Sequence, residues 1–213
     1  MSPDHGLDQE LLNLSRRPTS PKTLLSLALK RCLDLIFSLI FLAVALPVLV
    51  LASVAIKLDS PGTVSYRQWR SGRDGQPFQI LKLRTMVDGA DRLGPALTQS
   101  ADPRITPIGS ALRRWSIDEM PQLLNVLVGH MSLVGPRPEL VAIVGRYTTR
   151  ERGVLLARPG ITGTTQVNGR DDLSIADKLE MDLDYVANRT TMLDLIILIR
   201  TVRAVLSGRG ARR

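Results

Sequence analysis

The 213-residue chain has few cysteines and few aromatic residues. Its single cysteine, Cys32, excludes an intrachain disulfide, and the chain offers neither a zinc site of the Cys/His type nor a secreted disulfide framework. Aromatic residues make up 4% of the chain, and they do not alternate with arginines as a base-stacking surface requires. The composition therefore predicts no nucleic-acid partner and fits a reducing compartment.

Acidic residues are fewer than basic ones. The chain has 28 Lys and Arg against 20 Asp and Glu, which gives a formal net charge of +8. This surplus favours an anionic partner, such as a nucleotide, a phosphate group or anionic membrane lipid, although it also serves simple solubility. The length indicates one compact domain with an appendage.

The amino-terminal segment has no apolar periodicity. Residues 1–22 are polar and carry Pro3, Pro18 and Pro21, so they predict a flexible leader. Ser20 followed by Pro21 is typical of a helix start, with a cap and then proline at the first helical position.

One apolar run stands out after the leader. From Leu35 to Ile56 there are 22 residues without a charge, enough at about 1.5 Å per residue to cross a hydrocarbon core of about 30 Å. A transmembrane helix is one interpretation. However, basic residues flank both ends, and such flanks prefer the cytoplasmic side. Pro47 predicts a kink near the middle, so we predict a re-entrant membrane helix over residues 23–58.

The remaining residues, 59–213, predict a cytosolic domain that begins with a β-hairpin. Strands are expected over 63–67 and 78–83, with a Gly-rich turn at 72–75. In the second strand we expect Lys82 and Arg84 on one phosphate-facing surface, opposite Phe78, Ile80, Leu81 and Leu83. The alternative for each cation is a solvated strand edge.

Two neighbouring carboxylates, Asp118 and Glu119, follow a helix predicted over residues 110–115. Because Pro121 lacks an amide hydrogen, a second helix must start close by, with Asp118 near its N-cap. A capping box between Ser116 and Glu119 explains one carboxylate and not both. Like charges raise each other's pKa, so the pair indicates a compensating cation or a chemical role.

Three further basic side chains come from separate polar segments. Arg113 lies in the last turn of the predicted helix, Arg137 in the stiff loop 134–139, and Arg170 at the end of the Gly- and Thr-rich segment 157–170. With Lys82 they indicate a site for a phosphorylated ligand. Taken singly, a structural loop or a plain connector is an alternative for each segment.

Two helices are predicted near the carboxyl end, over 177–187 and 192–206. The second is too short to span a membrane. It either lies on the membrane surface with its arginines toward lipid phosphates or packs as a core helix.

Four segments together resemble the bacterial sugar transferase family, the monotopic polyprenyl-phosphate phosphoglycosyl transferases. These segments read "KRCLDLIF", "DSPGTVSYRQWRSGRDGQPFQILKLRTM", "DPRITPIGSALRRWSIDEMPQLLNVLVGHMSLVGPRPE" and "RPGITGTTQVNGR". The resemblance runs from about Lys30 to the carboxyl-terminal region. The chain resembles the minimal catalytic form of the family. This resemblance implies an α+β, monotopic protein: the re-entrant, Pro-kinked helix and a small mixed helix and hairpin domain with interfacial carboxyl-terminal helices.

The resemblance also implies an activity. Family members transfer a sugar 1-phosphate from a UDP-sugar to undecaprenyl phosphate and release UMP, at the cytoplasmic face of the bacterial inner membrane. The reaction is the first membrane step of exopolysaccharide, capsule, O-antigen or glycoprotein glycan assembly. By the same resemblance Asp118 is the nucleophile, and Glu119 has an accessory role with the metal or with the acceptor phosphate. The resemblance also assigns Lys82, Arg113, Arg137 and Arg170 to the phosphates and to these two carboxylates. The candidate Mg²⁺ ligands are Asp118 and Glu119, and Arg84, from its place on the predicted strand, is a further candidate for the phosphates.

The chain departs from the family pattern at three positions. Leu46 replaces a serine before the kinking proline, Ile117 replaces a leucine, and His130 replaces an acidic residue, for which we expect a local loop contact. A membrane-tethered scaffold that binds acidic lipid or nucleic acid is the competing function, and a signal protein with a spanning helix is a third. The sequence names neither the sugar nor the oligomeric state, and a homodimer is compatible with it.

Overall fold

Helix α1, Pro21–Asp59, is the longest element of the computed structural model, which describes residues 21–95, 101–169 and 173–207. It continues through Pro47 and begins at Pro21, where a first-turn amide would have no helical partner. By length and composition alone it can cross a membrane. The predicted long apolar helix is confirmed. The predicted leader lies outside the described residues, except that Pro21 and Lys22 belong to α1.

Helix α1 packs against the rest of the protein along one face. Near its start, Lys30 Nζ donates to Asp194 Oδ2 at 2.6 Å. Near its end, Ala52 and Ile56 are buried in a cluster with Leu83 and Leu112. Most other apolar side chains of α1 are exposed, including Leu39, Val44 and Leu51.

A β-hairpin follows. Strands β1, Ser65–Ser71, and β2, Pro77–Leu83, form the predicted antiparallel hairpin, and the structure sets its register with Ser65 opposite Leu83. The 3₁₀ turn Arg73–Gly75 joins them. The hairpin is therefore confirmed, and β1 extends four residues beyond its predicted end.

The predicted division of β2 into two faces is wrong in part. Phe78 and Ile80 are buried with Val126 and Met131, and the two-residue period of a strand puts Lys82 on this same face, at the edge of the core. Leu83 packs on the opposite face against α1. The prediction was wrong because residues 78, 80 and 82 are two apart, so the strand period itself puts Lys82 beside Phe78 and Ile80.

Short helices surround the 3₁₀ turn that carries Asp118 and Glu119, which we call the acid pair. Helix α2 is Ala90–Leu93, α3 is Pro107–Arg114, a 3₁₀ turn is Ile117–Glu119, and α4 is Gln122–Leu127. Helix α3 starts three residues before its predicted start because the Thr106 side chain caps it by accepting from Gly109 N at 3.0 Å. Asp118 lies near the N-cap of the next helix, as expected, but Pro121 is that N-cap and not a first-turn residue. Asp118 itself lies in the separate 3₁₀ turn.

A second, parallel pair of strands lies beside α4. Strand β3, Ser132–Val134, pairs with β4, Gly160–Thr162. Helix α5, Val141–Val144, and the 3₁₀ helix Glu151–Leu156 cross between them, and α6, Thr164–Val167, follows β4. A Cβ on Gly160 would lie 2.1 Å from Gly135 N, so the loop after β3 and the start of β4 meet at a distance only glycine permits.

Helices α7, Ile175–Asn188, and α8, Thr191–Ser207, complete the described fold and confirm the two predicted carboxyl-terminal helices. They share a core with β3 and α4. Its buried members are Leu123, Leu133, Val134, Ala157, Tyr185, Val186 and Ile197. The other side of α8 exposes Met192, Ile199 and Val202, so one face of this helix is core and the other is apolar surface.

Candidate active site

The acid pair sits in an unequal environment. Asp118 is 7% exposed, whereas the side chain of Glu119 is 20% exposed. The pKa of Asp118 is raised to about 6, first by burial and then by the Glu119 carboxylate, while Lys82 and Arg113 act in the opposite direction. At neutral pH and above, this carboxylate is therefore ionised yet poorly solvated.

Glu119 is held by two cations from distant segments. Lys82 Nζ, on β2, lies 2.7 Å from Glu119 Oε1, and Arg137 Nη2 lies 3.5 Å from the same oxygen. The side chain of Arg137 is 43% exposed, so its guanidinium borders open space. The acid pair thus divides into a bound carboxylate, Glu119, and a buried carboxylate, Asp118.

Arg113 approaches the pair from the last turn of α3. Its Nε donates to Thr85 Oγ1 at 2.8 Å, which anchors the guanidinium beside the segment that follows β2. Burial lowers the pKa of Arg113, and the Asp118 carboxylate is the largest influence that raises it. This mutual effect places Arg113 and Asp118 within electrostatic reach of each other.

The loop that presents Arg137 is fixed from two sides. Arg137 N donates to Asp182 Oδ2 at 3.4 Å, and Arg70 Nη1 donates to Pro138 O at 3.2 Å. Ser71 N donates to Glu139 O at 2.9 Å, which ties the loop to the end of β1. Arg137 is therefore positioned by the backbone of its loop, as the two flanking prolines predicted.

A cavity of about 960 Å³ joins these polar groups to an apolar wall. Its polar lining includes Lys82, Arg113, Asp118, Glu119 and Arg137. Its apolar lining comes from α1 and α8, with Phe41, Val44, Ala45, Val48, Leu198, Val202, Val205 and Leu206. The cavity therefore suits a ligand with a charged end and a long apolar part.

A family model for bacterial sugar transferases matches residues 25–208, nearly the whole chain. The chain belongs to the bacterial sugar transferase family.

Several relatives support this assignment. A UDP-glucose:undecaprenyl-phosphate glucose-1-phosphate transferase of Caulobacter vibrioides is 43% identical over 96% of this chain and 79% of its own length. The uncharacterized sugar transferase EpsL of Bacillus subtilis is 44% identical over 87% of this chain and 91% of its length. The exopolysaccharide production protein ExoY of Sinorhizobium fredii is 36% identical over 85% of this chain and 87% of its length.

Arg84, also predicted to bind the phosphates, lines the same cavity as the acid pair. The guanidinium of Arg84 donates to Ser60 O at 2.7 Å and to Pro61 O at 2.6 Å, so it fastens the turn after α1. Arg170 lies outside the described residues. His130 N donates to Asn125 O at 3.0 Å within its own turn, and its ring also contacts Phe78 of the distant strand β2, with centroids 5.6 Å apart.

Two residues of the site were missed in the sequence. Arg70 and Asp182 both hold the Arg137 loop. Burial raises the pKa of Asp182 to about 7 against hydrogen bonds from Arg137 N and Thr164. A signal for Asp182 was present, because it falls with Leu179, Leu183 and Val186 on the apolar stripe of the predicted helix. A carboxylate on such a stripe requires a partner.

Proposed function

We propose that this chain transfers a sugar 1-phosphate from a UDP-sugar to undecaprenyl phosphate and releases UMP, as the first membrane step in the assembly of a bacterial exopolysaccharide or related glycan. One observation carries the proposal. A buried carboxylate, Asp118, lines the same cavity as the basic side chains of Lys82, Arg113 and Arg137 and an apolar wall. The printed activity of the Caulobacter vibrioides relative supports the same reaction.

Asp118 is proposed as the nucleophile. One of its oxygens attacks the sugar-bearing phosphorus of the UDP-sugar, the bond from that phosphorus to the UMP oxygen breaks, and UMP leaves. An oxygen of undecaprenyl phosphate then attacks the same phosphorus and the bond to Asp118 breaks. Glu119 is a poorer nucleophile because Lys82 and Arg137 already bind its Oε1.

The basic side chains make it feasible for the Asp118 carboxylate to approach the negatively charged diphosphate of the UDP-sugar. Lys82, Arg113 and Arg137 reach the acid pair from β2, α3 and the loop after β3. Fixed positive groups aimed at the phosphates stabilise the charge that accumulates in the transition state. Arg170 is proposed to join them, from the segment that follows α6.

The acid pair also fits a divalent metal. Mg²⁺ is bound in many phosphoryl-transfer sites by one or two carboxylates together with substrate phosphates. Among the described residues, no group of three or more His, Cys, Asp or Glu forms a metal site of its own, so Asp118 and Glu119 would share the ion with the substrate. The metal would neutralise part of the diphosphate charge.

The acceptor chemistry requires a membrane position, for which we propose the cytoplasmic face of the inner membrane. Helix α1 is apolar on its exposed face, yet Lys30 at one end and Ile56 at the other both contact the same domain. This arrangement supports a re-entrant helix rather than a spanning one, since a spanning helix leaves its two ends on opposite sides. Pro47 is the proposed site of the bend.

The experiment is a comparison of wild type with Asp118→Asn in purified protein. With UDP-sugar alone, wild type should release about one UMP per protein and retain the labelled sugar phosphate covalently, whereas Asp118→Asn should do neither. With undecaprenyl phosphate added, wild type should turn over. The matched control is Asp184→Asn, an exposed carboxylate on α7, which should behave as wild type. Full UMP release by Asp118→Asn would refute the assignment of the nucleophile.

The sugar is tested separately. UDP-glucose is the first substrate to try because the Caulobacter vibrioides relative carries that activity in its name. A panel of UDP-sugars, ranked by UMP released, identifies the preferred hexose.

A further inference from the structure

Two arginines meet at the turn that ends α4, away from the acid pair. Arg31 Nη2, on α1, donates to Leu127 O at 3.3 Å, and Arg158 Nε donates to Gly129 O at 3.0 Å. A Cβ on Gly129 would lie 3.6 Å from Arg31 Nη2, which confirms how closely Arg31 approaches this turn. Neither arginine lines the catalytic cavity.

Two further arginines flank this pair. Arg189 Nη1 donates to Leu156 O at 3.5 Å, two residues before Arg158. Burial lowers the pKa of Arg158, and Arg31 and Arg73 lower it further. Burial is the largest cause that lowers the pKa of Arg189, and Arg73 lowers it further. Arg158 is therefore within electrostatic reach of Arg31 and Arg73, and Arg189 is within reach of Arg73. We call Arg31, Arg73, Arg158 and Arg189 the four-arginine cluster.

The positive charge of the cluster is compensated only in part, by an ion pair at Arg73, whose Nε lies 3.5 Å from Asp74 Oδ2. Within the described ranges, Arg31, Arg158 and Arg189 form no salt bridge, and each bonds one backbone carbonyl although a guanidinium carries five N–H donors. Asp34 raises the pKa of Arg158, but its oxygens already accept from Ser132 Oγ at 2.8 Å and Leu133 N at 3.2 Å.

The surroundings of the cluster are apolar and exposed. Val128, in the turn itself, is 67% exposed, and Leu124, one helical turn earlier on α4, is 42% exposed. Arg31 also stands at the start of the long apolar stretch of α1, where a membrane helix meets the headgroup region. Cations rimmed by exposed apolar side chains are typical of a surface that rests on a bilayer.

We propose that Arg31 and Arg158, flanked by Arg73 and Arg189, bind the phosphate groups of anionic phospholipids. The site is separate from the transferase cavity, so the inference rests on the proposed membrane position of α1 and not on the proposed reaction. This lipid site orients the domain on the membrane at the end of α1 opposite to Lys57. The arginines of α8, Arg200 and Arg203, are the competing lipid contacts.

Cys32 provides a reporter, because it is the only cysteine, is exposed and follows Arg31 directly. The full chain is labelled there with a fluorophore and placed in phosphatidylcholine nanodiscs doped with nitroxide-labelled phosphatidylglycerol or nitroxide-labelled phosphatidylcholine at equal mole fraction. Wild type should be quenched more by the anionic lipid. Arg31→Gln with Arg158→Gln should lower this preference, by roughly fivefold per arginine removed.

Three further variants make the result decisive. Arg31→Lys with Arg158→Lys should retain most of the preference, because the charge remains. Arg73→Gln should lower the preference for anionic lipid in part. Because the Arg73 side chain is 43% exposed, this change should not destabilise the core. Arg200→Gln with Arg203→Gln should leave the preference unchanged. Equal quenching by both lipids in wild type, or a loss of preference only in the α8 variant, would overturn the inference. Absence of quenching by either lipid would overturn the membrane position of α1 as well.

Discussion

At the residue scale, the crowding of two carboxylates is explained by their different partners. Glu119 is neutralised by Lys82 and Arg137, whereas Asp118 is buried and keeps a raised pKa. Two like charges side by side remain tolerable because basic side chains from three other elements converge on them. The residue types predicted this chemistry, and the unequal division between the two carboxylates came from their burial.

Asp182 makes a pH-dependent contribution to stability. Its pKa in the folded protein, about 7, is above the ordinary value of 3.8, so the folded state binds the proton more tightly. The stability that this proton provides is present below pH 4 and is lost as the pH rises to about 7. We expect Asp182→Asn to reduce the fall in free energy of unfolding over this range, by about 4 kcal/mol at most. Thermal unfolding in detergent at several pH values measures this pH dependence of stability.

The fall in stability should shrink in Asp182→Asn and not vanish, since the raised pKa of Asp118 acts in the same direction. Asp184→Asn, at an exposed position of the same helix, is the control and should retain the full pH dependence. An identical pH profile for Asp182→Asn and wild type would contradict the buried-carboxyl explanation.

At the element scale, the contact between α3 and the segment after β2 sets the position of Arg113. Thr106 N donates to Thr85 O at 3.1 Å, and Arg113 Nε donates to the side chain of Thr85. Gly109 lies between these two bonds, and a Cβ there would be 2.0 Å from Thr85 O. The helix can approach this closely only because position 109 has no side chain.

We therefore expect Gly109→Ala to destabilise the protein. Alanine normally favours a helix over glycine by about 1 kcal/mol. The clash with the Thr85 backbone should exceed this gain, since overpacking costs roughly 1–3 kcal/mol. The displaced helix should also lower transferase activity through Arg113. Thermal unfolding and UMP release check both effects.

Gly145→Ala is the matched control, because the nearest atom to its added Cβ is at 3.5 Å. It should unfold within about 0.5 kcal/mol of wild type, as substitutions away from such features do. A Gly109→Ala protein as stable and as active as Gly145→Ala would show that α3 can move without disturbing the site.

At the scale of the whole molecule, the question is how α1 meets the bilayer. Its two ends contact one domain, through Lys30 and Asp194 at the start and through Ile56 and Leu112 near the end. Length alone favoured a spanning helix, and the flanking charges favoured a re-entrant one. Both ends of a re-entrant helix remain on the cytoplasmic side.

Cysteine labelling tests this topology. In a Cys32→Ser background, Ser20→Cys reports the side before α1 and Asp74→Cys reports the domain, since the Asp74 side chain is 63% exposed. An impermeant maleimide should label both positions in inverted membrane vesicles and neither in cells with a permeabilised outer membrane. Labelling of Ser20→Cys from the periplasmic side would show that α1 spans.

The sequence by itself determined the kind of chemistry and most elements of the fold. Apolar periodicity and the prolines located α1, the hairpin and the last two helices, because these signals are local. The face of β2 that carries Lys82 was predicted wrongly, because Phe78, Ile80 and Lys82 are spaced by two residues and therefore share a face. Which of the two faces is buried depends on what covers each side.

Only the tertiary structure decided which charged groups form the site. Lys82 and Glu119 are far apart in the chain, and their contact depends on how β2 and the 3₁₀ turn pack together. The same packing recruited Arg70 and Asp182 and directed Arg84 to the turn after α1. Residue types reveal which ligands can be bound, whereas long-range packing selects the side chains that reach them.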